Sequence, residues 1–379
     1  MKPKVLAASW YPGGINPIIP VISSLQRDAQ VDVSVVGYEY SEKILTDAGI
    51  KHKKISDYGI DDVCVGSIEV LLDKEEPNLI LTGTSMQEKD RPDTIEHSLI
   101  LAGKERGIFT LSVLDVWGAY SDRFNDLHTG ERHKYIPDLI AVMDKYAIAD
   151  MLKEGFDLEK LVITGNPFFD GLGLEARRFT QSDKEKIRHQ IGLDRQTQFF
   201  YAGATADSEQ DMERYGFWDL DNVQILCNVL DDVDTTQNGV VVKLHPRIKE
   251  RDSNKILDYI NNHQNSNAIS LVSEINPRHL ILSSDMCLTT SSTLGVEGAY
   301  MGRPFISLQP NLKGEDCIKL LTEKKIISAA YTPSECKRLV TRAFLSEDYR
   351  RELAEKVSDF KVDGHATERV VGLIYSQLS

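Results

Sequence analysis

Short apolar runs of strand type alternate with helix-type segments along the whole chain, and this alternation limits the fold more than any other feature. Residues 4–9, 31–38, 78–82, 109–114, 139–143 and 161–164 read as strands, with helices at 15–26, 41–48, 68–74, 94–106 and 145–154 between them. Strands joined through helices pair in parallel and are covered on both faces. The rhythm breaks near 165–177, where Gly165-Asn166-Pro167 reads as a turn and 170–173 as a loose stretch. It resumes with strands at 199–202, 240–244, 269–272, 286–290 and 304–308 and helices at 182–191, 222–230, 254–262, 294–301, 334–345 and 348–357. A chain of 379 residues exceeds one ordinary core. The expectation is therefore α/β: two Rossmann-like, doubly wound domains, 1–168 and 182–362, facing across a cleft, with a last helical segment at 363–379. Such clefts are the usual ligand site.

Composition excludes several classes. The net charge of −14 disfavours nucleic acid and anionic lipid as non-specific partners. It leaves open an anionic small ligand held by local cations, contact with a membrane surface through a minor patch, and a homodimer. No apolar stretch approaches the ~18 residues of a membrane span, and the N-terminal run reads as a first strand. Cys64, Cys227, Cys287, Cys317 and Cys336 are scattered without a CxxC pair, which points to reduced thiols in the cytoplasm and to no metal site.

Two segments carry the chemistry. In Val242-Lys243-Leu244-His245-Pro246-Arg247 an apolar strand runs into a basic turn, where His245 and Arg247 suit a donor phosphate. In Thr290-Ser291-Ser292-Thr293-Leu294-Gly295-Val296-Glu297 a strand runs into hydroxyls and then a helix. Ser291, Ser292 and Thr293 can cap that helix and contact an anion, and Glu297 can bridge two ribose hydroxyls. Gly13 and Gly14, between the first strand and first helix, allow backbone to approach a ligand's sugar-phosphate end. Gly203 and Thr205 suit donor-phosphate contacts past the first strand of the second domain. Asp115 is the first choice of general base because it follows an apolar strand; Glu88, Asp90, Arg91, Glu96 and His97 are weaker candidates. No GxGxxG, Walker-type P-loop, HExxH or Gly-x-Ser-x-Gly is present. His365 reads as structural.

At these residues the chain resembles the GT-B superfamily, which includes nucleotide-sugar glycosyltransferases and UDP-N-acetylglucosamine 2-epimerases. The stretch Ile163-Thr164-Gly165-Asn166-Pro167 with Asp170 resembles the TGNP..D segment that closes the first domain. Ser291-Ser292-Thr293 with Glu297 and Gly302-Arg303-Pro304 resembles the nucleotide-binding segment, and Asp363-Gly364 with Ala366 and Arg369 the entry to the terminal helix. The resemblance implies that this helix packs back on the first domain. The chain departs from the epimerases at three places. Ala202-Gly203-Ala204-Thr205-Ala206-Asp207 lacks their His-Arg motif, Gly83-Thr84-Ser85 lacks their acid, and Leu114-Asp115-Val116-Trp117-Gly118 replaces their H-x-E-A-G. The His245-Pro246 and Ser291-Ser292-Thr293 pairs are similar to motifs of bacterial sialyltransferases and capsule polymerases that use cytidine-linked donors.

The expected function is transfer of a sugar or related group from a nucleotide-activated donor, UDP- or CMP/CDP-linked, to a glycan, lipid-linked or small-molecule acceptor. His245 is expected to act in catalysis with Asp115, and no metal or further cofactor is expected. The alternatives are a UDP-N-acetylglucosamine 2-epimerase-type enzyme and a non-catalytic GT-B-like binding subunit.

Overall fold

The computed structural model describes residues 2–88, 93–290, 292–316, 318–358, 360 and 362–378, and the side chain of Thr293 also falls outside the description. It divides into two compact units, residues 1–171 with 363–379 and residues 172–362. Among the described residues no helix is long and apolar enough to cross a membrane.

Unit 1 holds seven strands: β1 (Lys4–Ser9), β2 (Asp32–Gly37), β3 (Lys53–Lys54), β4 (Leu79–Thr82), β5 (Phe109–Val113), β6 (Leu139–Val142) and β7 (Leu161–Ile163). Their order is β3-β2-β1-β4-β5-β6-β7 and every pairing is parallel. Unit 2 holds β8 (Thr197–Ala202), β9 (Asn238–Lys243), β10 (Ile269–Leu271), β11 (Met286–Thr289), β12 (Phe305–Leu308) and β13 (Ser328–Ala330). Their order is β10-β9-β8-β11-β12-β13, again all parallel. Each unit is thus doubly wound, with its order reversing between β1 and β4 or between β8 and β11. The carboxyl ends at such a reversal are where these sheets bind ligands.

Central strands are buried on both faces, which explains their unbroken apolar runs: Leu79–Thr82 and Met286–Thr289 are buried throughout. The helix Pro12–Asp28 starts with proline at a position whose N–H has no helical partner anyway. It sends Ile15, Ile18, Val21, Ile22 and Leu25 into the core under β1.

Two stretches differ from the sequence expectation. Residues 170–173 are not loose: they begin the helix Asp170–Arg178, because Phe168 N–H is capped by Asn166 and the chain turns straight into helix. The helix expected from 222 starts at Asp219, since buried Asp219 is held by partners upstream in sequence.

The segment 161–170 and the terminal helix Ala366–Leu378 are latched together within unit 1. The two oxygens of Asp170 accept from the N–H groups of Ala366 (2.9 Å) and Thr367 (2.7 Å), satisfying that helix's open N-terminus. Arg369 grips Asp363 through two hydrogen bonds at 2.7 and 2.8 Å and donates to the Thr164 carbonyl at 2.7 Å.

Candidate functional site

In unit 1 the turns after β1 and β4 meet the first turn of Pro12–Asp28 at the order reversal. Glycine is required there by contact: a Cβ on Gly83 would lie 2.0 Å from the Gly14 carbonyl oxygen, and one on Gly14 2.3 Å from Ser9 Oγ. The space at Gly14 is therefore taken by protein, whereas Gly13 is exposed. A Cβ on Gly13 would fall 2.5 Å from Oδ2 of Asp115. That carboxylate lies against a helix turn whose N–H groups have no intrahelical acceptor.

Asp115 follows β5, and its side chain is 14% exposed. Oδ1 takes the Arg123 guanidinium at 2.7 Å and the Thr84 hydroxyl at 3.0 Å, and Arg123 also donates to Thr84 at 3.2 Å. Asn166, buried, donates to the Asp115 backbone carbonyl at 2.8 Å. The carboxylate is thus held at Oδ1 by Arg123 and Thr84 while Asn166 holds its backbone, and Oδ2 is turned toward Gly13.

Glu96 sits deeper. Its Oε1 accepts from Ser9 Oγ and Ser85 Oγ, both at 2.6 Å, and from Trp10 N–H at 2.9 Å. Being 1% exposed, it ties the two strand-end turns together. His97, also buried, donates from Nε2 to the Arg123 carbonyl at 2.8 Å and stacks on Tyr135 at 4.0 Å. Burial lowers its pKa, so the ring is neutral. Among the described residues Glu96 Oε2, His97 Nδ1 and Arg123 Nε have no partner. Glu88 is exposed and accepts from the Tyr11 hydroxyl, while Asp90 and Arg91 lie outside the described residues.

In unit 2 the corresponding reversal lies between Ala202 and Thr289, whose hydroxyl donates to the Ala202 carbonyl at 2.8 Å. A Cβ on Gly203 would approach His245 N at 3.0 Å and Asp219 Oδ2 at 2.8 Å, so this glycine brings the β8 turn against the His245 turn. His245 Nδ1 accepts the Arg247 N–H at 3.1 Å, which fixes a neutral tautomer with Nε2 as the donor. Burial, then the Arg247 charge, lowers its pKa. Arg247 is exposed, and its guanidinium has no hydrogen bond or ion pair among the described residues. His245 also borders an open cavity of about 440 Å³ with Lys243, Pro246, Ser253, Leu271 and Ser273, beyond β9 and β10.

Thr205 is buried, and its hydroxyl accepts from Asp219 N–H (3.1 Å) while its own N–H reaches Asp219 Oδ2 (3.0 Å). It shapes the turn. Asp219 also accepts from Tyr201 OH at 2.7 Å and Ala204 N–H at 3.2 Å. Asn222 links Tyr201 OH, Thr290 Oγ1 and the Leu308 carbonyl at 3.1–3.3 Å. Ser292 caps the helix Thr293–Tyr300, accepting from Leu294 N–H at 3.3 Å. Glu297 is on that helix and pairs with Arg278 at 2.8 Å; Arg278 also lies 3.7 Å from Glu175. Ser291 and the Thr293 side chain lie outside the described residues.

The candidates therefore fall at the strand-end reversals of their own units: Gly13, Gly14 and Asp115 in unit 1, and Gly203, Thr205, His245, Arg247, Ser292 and Glu297 in unit 2. Sequence reasoning missed Arg123, Asn166, Asp219 and Arg278 as their supports. The charged pair Asp122-Arg123 between Tyr120 and Phe124 was the only signal for Arg123, and no spacing rule pairs Asp219 with Thr205. Among the described residues no three His, Cys, Asp or Glu side chains gather as a metal cluster.

No protein-family model matches the chain, and comparison with curated proteins gives no match. Solved structures do match over nearly the full length. One is the UDP-GlcNAc 2-epimerase of Neisseria meningitidis bound to UDP-GlcNAc, with a TM-score of 0.67, 14% identity and coverage of 99% of this chain and 100% of that one. Another is MurG of Acinetobacter baumannii, with 0.61, 14%, 99% and 100% in the same order. A third is a glycosyltransferase of Rickettsia africae, with 0.57, 11%, 100% and 99%. At these identities the likeness shows the fold, two Rossmann-like units of the GT-B class, and this fold is what the chain has.

Proposed function

We propose that the chain is a nucleotide-sugar enzyme and, within that class, a glycosyltransferase. The observation that carries it is the β8/β11 reversal of unit 2. There the His245 turn, pressed against Gly203, and the Ser292-capped helix present an imidazole N–H, a guanidinium and helix N–H groups at one set of strand ends. This is a donor set for a nucleotide diphosphate. Glu297 is the ribose ligand, oriented by Arg278. The Neisseria meningitidis structure holds UDP-GlcNAc, which makes a UDP-linked donor the first to try and cytidine-linked donors the second.

In the proposed reaction Asp115 takes the proton of the acceptor hydroxyl. The freed oxygen forms a bond to the anomeric carbon, and the anomeric C–O bond to the diphosphate breaks. His245 Nε2–H and Arg247 stabilise the departing phosphate. Transfer is favoured over epimerisation because Asp115 offers one oxygen, Oδ2, beside exposed Gly13, whereas Glu96 is enclosed and engaged. Epimerisation needs a base and an acid at the sugar. That second reading draws its support from the epimerases among the similar folds.

The test is product analysis with UDP-, CMP- and GDP-sugars, with and without saccharide acceptors. Nucleotide release that depends on an acceptor, lowered about 100-fold or more in Asp115→Asn, supports transfer. An isomerised sugar formed from the donor alone overturns it in favour of the epimerase. Bound nucleotide with no turnover on any acceptor overturns both and leaves a binding subunit.

A further inference from the structure

Trp10, Tyr11, Tyr38 and Tyr40 form one aromatic cluster beyond the carboxyl ends of β1 and β2 in unit 1. Tyr11 lies 4.3 Å from Trp10, Tyr38 lies 6.1 Å from Trp10, and Tyr40 stacks on Tyr11 at 5.2 Å with planes 18° apart. Trp10 is 1% exposed and anchors the group, whereas Tyr40 is 55% exposed. Tyr40 is held by the face of another ring rather than by a core, and much of its surface meets water. Carboxylates border the stack: Glu39 accepts from Trp10 Nε1 at 2.8 Å, and Glu88 accepts from the Tyr11 hydroxyl. Glu39 adopts φ 50° and ψ −109°, a positive-φ backbone that non-glycine residues avoid, and Tyr40 leaves this bend to begin the helix Tyr40–Asp47. Strain of this kind persists where its surroundings enforce it, and here it sits between the tryptophan anchor and the exposed ring.

Tyr11 is two residues from Gly13, so the aromatic cluster continues the turn that holds Asp115. A pyranose ring has a flat C–H face that packs on an aromatic ring and rim hydroxyls that donate to carboxylates. A phosphate or carboxylate ligand would meet Glu39 and Glu88 as like charges.

We propose that Tyr40, stacked on Tyr11 and bordered by Glu39 and Glu88, is a saccharide subsite that seats a neutral or amino-sugar ring of the acceptor. The proposal rests on the transferase reading for its role, but its binding chemistry stands apart from it. Neutral and amino-sugar di- and trisaccharides, with sialylated ones as the anionic control, are titrated into the full chain without nucleotide. Saturation-transfer NMR reports binding, and nucleotide binding is measured on the same samples. The wild type is expected to bind neutral or amino sugars. Tyr40→Ala weakens this about five- to tenfold, Tyr40→Phe keeps most of it, and nucleotide affinity is unchanged in both. Because Tyr40 is exposed, both variants are expected to fold, and circular dichroism checks this. No saccharide binding, stronger binding of the anionic control, or equal binding by Tyr40→Ala overturns the subsite. Saccharide binding without any nucleotide binding supports the subsite and overturns the proposed function instead.

Discussion

Gly83→Ala tests whether the unit 1 site is built on backbone contact. The added methyl carbon would lie 2.0 Å from the Gly14 carbonyl oxygen, 2.4 Å from its carbon and 2.5 Å from its Cα. Ordinary contacts of this kind lie near ~3.5 Å, so the first turn of Pro12–Asp28 must retreat by more than ~1 Å. All three obstructing atoms are backbone, and no side-chain rotation relieves them. Overpacking costs ~1–3 kcal/mol where side chains can adjust, which puts this substitution at ~3 kcal/mol or above. With a urea m value of ~2 kcal/mol/M, the midpoint falls by about 1.5 M. Urea titration followed by far-ultraviolet circular dichroism reads the shift, with Gly66→Ala as control. Nothing lies within 4 Å of a Cβ there, so Gly66→Ala is expected to be neutral or slightly stabilising. Activity falls further than stability alone explains, because Thr84 and Gly13, which flank Asp115, move together. A Gly83→Ala midpoint within ~0.3 M of the wild type would refute the contact argument.

Two further outcomes follow from buried charge. Asp219→Ala strands the Tyr201 hydroxyl and the Ala204 and Thr205 N–H groups, and is expected to cost ~3 kcal/mol or more by urea titration; a loss under ~1 kcal/mol contradicts the role given to Asp219. Burial pushes the Glu75 carboxyl up, but hydrogen bonds from Lys53, Ser34 and Tyr58 outweigh this and hold it at about 2. Its folded pKa is depressed, so its stabilisation is complete above the ordinary value of 4.5 and fades as pH falls toward 2. The stability gap between wild type and Glu75→Gln should therefore narrow between pH ~5 and ~2, and a gap independent of pH would contradict it.

Sheets and site were legible to different depths. Apolar strands such as 79–82 and 286–289 stood out because both of their faces are buried. Candidates for ligand contact in such sheets come from turns just past the strands, so Asp115, His245 and Ser292 could be chosen as candidates from position alone. Their supports were not. Arg123 reaches Asp115 across 8 residues of loop and short helix, and Asp219 reaches Thr205 across 14, at distances set by tertiary packing rather than by any period. Gly14 shows the opposite limit. Its glycine pair looked like an opening for a ligand, yet Ser9 and Thr84 fill the room that its missing side chain leaves. The motif around Asn166 and Asp170 likewise gains its meaning from contact with Asp115 and Ala366, far away in the chain.

Calorimetric titration of UDP, CMP, CDP, GDP and TDP into the wild type and His245→Ala tests the central claim, a nucleotide site at the His245 turn. A uridine or cytidine nucleotide is expected to bind the wild type and to lose about 30-fold or more in affinity in the variant, the worth of one charge-assisted contact of ~2–3 kcal/mol. Equal affinities in the two proteins, or no binding of any of the five to the wild type, would contradict it.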